Sequence, residues 1–163
     1  FAKANETGIW SQGGKTFFIR DGKYTTDVGW VGFVNATSMV SDSLSSVATF
    51  EHRESGDQDQ HLIYHNGVLE LDAVWAYNTF PEAQLTDGGV FKIGYTSTDF
   101  PQSHGLFGSI GELIKIDQTL TDEHRMMVHA YLASKWGLQS EMDSDSDGAS
   151  DNVDSAPTDP SSN

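Results

Sequence analysis

The chain has 163 residues, 16 glycines, no cysteine and a net charge of −15. That length suits one domain with a real core plus a tail. The absence of cysteine excludes disulfides and thiolate metal sites, and no run of about twenty apolar residues is present to span a membrane as a helix. The acids are unevenly spread: 7 of 24 lie in 141–163, which has no Lys or Arg, so the tail carries −7 and the body −8. An acidic body argues against nucleic acid and anionic membranes, because phosphate binding needs clustered Lys/Arg. Neutral glycans, cationic partners and calcium stay open. The chain starts at Phe1 with no methionine or signal pattern, so it is expected to be a fragment of a longer parent chain with further domains.

In chain order, 1–7 is expected to be an entry strand or a disordered start. Gly13-Gly14 reads as a turn, 16–20 as a strand, and Asp21-Gly22 as a hairpin turn. Strands are expected at 30–35 and 47–52, followed by a polar surface loop over 51–60. A second hairpin joins 61–65 to 68–71 across Asn66-Gly67, two residues that tolerate the positive φ of a type I′ turn. A long irregular segment, 72–89, precedes a strand at 90–95 and another loop at 96–105.

The segment 108–116 is β-branched and apolar and reads as a closing strand. Ile110, Glu112, Ile114 and Ile116 share one phase, so Glu112 needs a buried partner or a bulge at Gly111. A helix begins after Thr121 as N-cap, with Asp122 and Glu123 meeting the positive end of its dipole, and stops at Gly137. The i, i+4 pairs Met127/Tyr131, Ala130/Ser134 and Val128/Leu132 are expected to form its buried face.

The motif FxGSIxELxxxxxxLTDEHRxxxxxYLASKWGL over 107–138 resembles the end of bacterial LamG-like jelly-roll domains of the concanavalin A-like lectin/glucanase superfamily. The residues that carry this likeness are Gly108, Ile110, Glu112, Leu113, Leu120–Glu123, Arg125, Tyr131–Ala133 and Lys135–Leu138. Upstream, LIYHNGVLEL at 62–71 is similar to the family's "LYVDGVLV" hairpin, and VFKIGY at 90–95 to its "LRIG" strand. The resemblance covers 7–138 and implies an all-β fold: a two-sheet antiparallel jelly-roll sandwich, with one C-terminal helix and the acidic tail beyond it. The expected organisation is therefore a β-sandwich over 1–139 and an Asp-rich segment over 140–163.

In the tail, Asp143, Asp145, Asp147, Asp151 and Asp154 occupy relative positions 1, 3, 5, 9 and 12, with Gly148 at 6. Calcium takes six to eight hard oxygens, and a loop that turns sharply at glycine can aim such a series at one centre. The backbone carbonyl of Ala149, at position 7, is a further candidate oxygen. The flanks do not suit an EF-hand, since Ser150 replaces an apolar residue and Pro157 follows closely. DxDxDGxxDxxDxxPxDP, at 143–160, instead resembles the bacterial thrombospondin type 3 repeat, which implies calcium on the five aspartates. The plainer alternative is an acidic linker without a core. Weak calcium sites fill at extracellular calcium concentrations, so the motif favours an extracellular or cell-surface protein.

Laminarinase-like hydrolases on this sandwich carry an E-[IL]-D-x-x-E strand, whose outer glutamates are nucleophile and acid/base. Here Glu70-Leu71-Asp72 is followed by Trp75 where the second glutamate should stand, so the fragment is expected to be non-catalytic; a catalytic domain elsewhere in the parent chain stays open. His61 and His65 fall about 13 Å apart along a strand, and His124 and His129 are five apart on the helix, so neither pair chelates one ion. The histidines are expected at the surface or a sheet edge. Sugar sites need an aromatic platform and fixed polar partners. The candidate ligand residues are Trp75, Tyr77 and Phe80, then Phe100 with His104, and Trp30. Asp57 with Asp59, or Asp72 with Asp99, are candidate calcium ligands in the body. Two functions follow as expectations. One is a lectin-like module for a poly- or oligosaccharide; the other is a structural or adhesive protein-interaction module with a calcium-stiffened spacer.

Overall fold

The computed structural model describes residues 6–12, 15–28, 33–41, 44–55, 58–76, 91–94, 106 and 108–161. The described chain is mostly β with one helix. Its strands are β1 (Glu6–Gln12), β2 (Lys15–Arg20), β3 (Lys23–Val28), β4 (Phe33–Asn35), β5 (Ala48–Ser55), β6 (Gln58–His65), β7 (Val68–Ala76) and β8 (Lys92–Ile93). The helix, α1, spans Asp122–Trp136. One sheet has the order β4-β3-β2-β1-β8 and the other β5-β6-β7.

Two compact units can be described separately. The first comprises Phe1–Val40, Glu54–Gln60 and Ala73–Lys115. Its five-stranded sheet is an antiparallel meander closed on its far edge by β8, which pairs Ile93 with Trp10 and Lys92 with Ser11. The β2–β3 hairpin turns at Asp21 (φ 50°) and Gly22 (φ 75°), both in the left-handed region that a type I′ turn demands. Its register sets Arg20 opposite Lys23 and Phe17 opposite Thr26. Phe17 and Phe18 are both buried, as are Tyr24, Thr25 and Thr26, so the hairpin is covered on both faces. The rings of Phe17 and Tyr24 stack at 5.5 Å as a diagonal cross-strand pair. Buried Thr25 meets its polar need on β4, donating from Oγ1 to Asn35 Oδ1 at 2.8 Å.

The second unit comprises Ser41–Arg53, His61–Asp72 and Ile116–Asn163. The β6–β7 turn is again type I′, with Asn66 at φ 50° and Gly67 at φ 89°. Residues 61–64 of β6 are all buried. Helix α1 is fixed at both ends as its sequence dictates. Thr121 Oγ1 accepts the His124 N–H at 3.2 Å. Gly137 adopts φ 66°, ψ 37°, and Leu138 N–H returns to Ala133 O. The helix buries His129 and Ala133, and Val47, Ala133 and Met142 form a core cluster lined by Leu132 and Leu138.

Several sequence expectations need correction. Residues 108–116 form no strand. Ile110, Leu113, Ile114 and Ile116 are 38–42% exposed. A period-two apolar pattern becomes a strand only when its backbone finds a ladder partner, and the described pairing gives β1 its neighbours in β2 and β8. The polar stretch 51–60 is not a surface loop, because β5 runs to Ser55 and β6 starts at Gln58. Polarity is tolerated there through Arg53, whose Nε and Nη2 donate to the two Glu51 oxygens at 2.8 and 3.1 Å. β7 extends to Ala76, and among the described residues 91–94 of the expected 90–95 strand only Lys92–Ile93 is strand. On α1, Met127, Tyr131 and Ser134 face solvent; the buried line runs through His129 and Ala133 with Leu132 beside it.

Candidate metal centre

The candidate centre begins where α1 ends. After the left-handed Gly137 the chain reverses, and Glu141 N–H donates to Leu138 O at 2.9 Å. Met142 is then 0% exposed within the Val47–Ala133 cluster. A buried methionine next to Asp143 fixes the start of the acidic loop. Asp143 N–H donates to Asn66 O at 3.0 Å, and Ser146 Oγ donates to Gly67 O at 3.1 Å, so the loop is seated on the β6–β7 turn.

Within the loop, carboxylates organise the backbone. Asp143 accepts from Asp147 N–H at 3.1 Å and from Gly148 N–H at 3.0 Å. Asp145 Oδ1 accepts from Asp147 N–H at 3.3 Å, and Asp147 Oδ1 accepts from Ala149 N–H at 2.7 Å. Ser146 (φ 62°) and Gly148 (φ 99°) make the sharp turns that allow this wrapping. One carboxylate oxygen from each of Asp143, Asp145 and Asp147 lies within 4.8 Å of the other two.

Electrostatics leave this arrangement wanting a cation. At an effective dielectric of ~20, two unit charges at such a separation repel by about 3 kcal/mol, an upper figure where solvent reaches them. Asp145 is only 8% exposed. Its Oδ2 and that of Asp147 are buried with no hydrogen-bond partner. Burial pushes the Asp145 carboxyl above the usual aspartate range, and the charges of Asp147, Asp154 and Asp143 push it the same way. Buried carboxylate oxygens without donors are costly unless an ion or water meets them. All the gathered side-chain donors are hard oxygens, which fits calcium better than any soft-ligand metal.

The structure thus brings together Asp143, Asp145 and Asp147. Asp151 stands outside that trio; its two oxygens accept from Ser144 N–H at 2.8 Å and Ser144 Oγ at 2.7 Å, much as the two oxygens of Asp143 accept from Asp147 and Gly148. Asp154 Oδ1 accepts from Ala156 N–H at 2.8 Å. Ala149 lies inside the loop, tied by its own N–H to Asp147. Sequence reasoning missed the supporting residues. Asn66-Gly67 signals a turn but not a seat for a distant segment. Met142, the apolar residue that opens the acidic run, was the available sign that the tail is anchored.

The aromatic candidates are placed differently. Trp75 falls within β7, while Trp30, Tyr77, Phe80, Phe100 and His104 lie outside the described residues. Asp57 and Asp99 also lie outside them; Asp59 is in β6 and Asp72 is an exposed residue of β7.

The expectation of surface histidines fails for His61 and His129, which are fully buried. His61 packs edge-on against Phe50 and His52. His129 Nε2 is 2.9 Å from Thr49 Oγ1, and its ring lies 5.9 Å from that of Tyr64. Burial first, and the Arg125 charge second, push His129 down to about 4, so it is neutral near pH 7. Arg125 sits 4.3 Å above the Tyr64 ring and is held by Asp122 at 2.7 Å. These histidines are core residues and form no metal set with the acidic loop.

Compared with protein-family models, with curated proteins and with solved structures, the chain finds no match.

Proposed function

We propose that the chain is a non-catalytic, calcium-binding module of an extracellular or cell-surface protein. Its β-rich body is read as a jelly-roll sandwich that takes a poly- or oligosaccharide. The observation that carries the calcium reading is Asp145, whose buried Oδ2 has no donor and sits in a cluster with Asp143 and Asp147. Calcium would add the positive charge and the oxygen-seeking coordination that this cluster needs. Asp151 supports the loop through its two hydrogen bonds from Ser144.

The glycan part rests on the LamG-like sequence resemblance, on the acidic body and on the aromatic residues that follow Trp75 in the sequence. The non-catalytic part rests on Trp75 standing where a retaining glucanase needs its second carboxylate. The test is binding to a broad panel of polysaccharides, in millimolar calcium and again in chelator. Saturable binding lost in Trp75→Ala supports the lectin-like reading and locates its site. Failure of every glycan, with calcium still raising the melting temperature, would remove the glycan and leave the calcium module.

A second reading, a structural or adhesive protein-interaction module, is favoured by the exposed apolar residues Ile110, Leu113, Ile114 and Ile116. Under that reading the calcium-loaded tail stiffens the junction to a following domain.

A further inference from the structure

We propose that the β6–β7 turn is the seat that positions the cation site, so that cation binding and the ordering of the hairpin are one coupled event. This rests on reading the Asp143–Asp145–Asp147 loop as a cation site. It adds Asn66, Gly67 and Ser146 as positioning residues, none of which touches the ion.

The contact that sets the geometry is the backbone of Asp143 over Gly67. A Cβ at Gly67 would lie 2.6 Å from the Asp143 carbonyl carbon and closer still to its oxygen. Only glycine lets the loop come this near, and only glycine adopts φ 89° there without strain. The approach is fixed on three sides. Asp143 N–H donates to Asn66 O, Ser146 Oγ donates to Gly67 O, and Met142 is inserted in the core cluster. Asn66 carries the connection further. Its N–H donates to Val47 O at 2.8 Å, and its Oδ1 accepts Val47 N–H at 2.8 Å. One asparagine therefore ties the start of β5, the hairpin turn and the first carboxylate of the loop.

The consequence follows from the placement of the loop residues. Asp143 and Ser146 are held by the turn, and Asp145 lies between them with its buried oxygen unpartnered. The turn thus sets where Asp143 stands relative to Asp145 and Asp147. A cation that draws the three carboxylates together tightens the loop on the turn, and by linkage anything that loosens the turn weakens the cation. Supporting residues of this kind typically change metal affinity by about 10–100-fold when altered.

The test uses the full chain with calcium chloride as the probe. Affinity is read by calorimetry, and amide exchange of Val47, Asn66 and Asp143 is read in calcium and in chelator. The wild type is expected to bind calcium and to slow exchange at all three amides. Gly67→Ala is expected to weaken binding by at least about tenfold with every carboxylate intact. Ser146→Ala, at an exposed position that tolerates the change, is expected to weaken it by a smaller factor and serves as the deciding variant should Gly67→Ala not fold. Wild-type affinity in a folded Gly67→Ala or in Ser146→Ala, or amide exchange indifferent to calcium, would overturn the coupling while leaving the cation site standing. No calcium binding by the wild type would overturn both.

Discussion

Replacing Met142 with alanine asks whether the acidic segment belongs to the fold. Met142 is fully buried, and its neighbours in the cluster are Val47 and Ala133, with Leu132 and Leu138 packed against them. Its backbone is held as well, since Asp151 N–H donates to Met142 O at 2.8 Å and the next residue is bound to the hairpin turn. The substitution removes three heavy side-chain atoms and leaves a cavity that these anchored neighbours can fill only in part. Buried Met→Ala changes cost roughly 2–5 kcal/mol, and about 3 kcal/mol is expected here. Urea unfolding in chelator, followed by the circular dichroism of α1, measures it directly, with an unchanged slope marking a change in stability alone. A residue at the root of a solvated linker would shift stability by no more than about 0.5 kcal/mol. A shift that small would refute the packing described for Met142 and return the segment to the status of a spacer.

Thr121→Ala removes the side-chain acceptor for His124 N–H and is expected to cost about 1 kcal/mol in the same unfolding assay. His129 ties stability to pH. Its folded value, about 4, lies below the ordinary 6.5, so the unfolded chain binds the extra proton between those values. Its contribution is complete above pH 6.5 and is lost as pH falls to about 4, worth about 3 kcal/mol. The stability profile of His129→Gln, flatter over that interval, checks it. Asp145 acts in the opposite sense without calcium. Its raised folded value means that stability falls as pH rises through that value, and Asp145→Asn is expected to be more stable than the wild type in chelator and less stable in calcium. Thermal melts in both conditions read this crossover.

What could be read from the sequence was mainly local chemistry. Asp21-Gly22 and Asn66-Gly67 specify their turns through two residues that accept positive φ, and both turns are present. Thr121 and Gly137 specify the ends of α1 through groups that satisfy orphan backbone donors and acceptors. Of the five aspartates in the DxDxDGxxDxxD spacing, the three at alternate positions are gathered, because alternate residues of a tight loop face one centre. The errors came where the outcome depends on partners far along the chain. The apolar alternation of 108–116 is a strand pattern, yet a strand also needs a neighbour with free backbone groups. The burial of His129 in place of Met127 and Tyr131 depends on which helix face meets Thr49 and Tyr64.

The most direct test of the central claim is a calorimetric calcium titration of the intact chain beside Asp145→Asn, which keeps the shape of the side chain and removes its charge. The expected result is saturable binding of about one calcium per chain, with a dissociation constant on the order of 10⁻⁴–10⁻³ M or tighter, abolished or sharply weakened in the variant. A titration without saturable heat through millimolar calcium, or equal binding by Asp145→Asn, would contradict the assignment of the Asp143–Asp145–Asp147 loop as the metal centre.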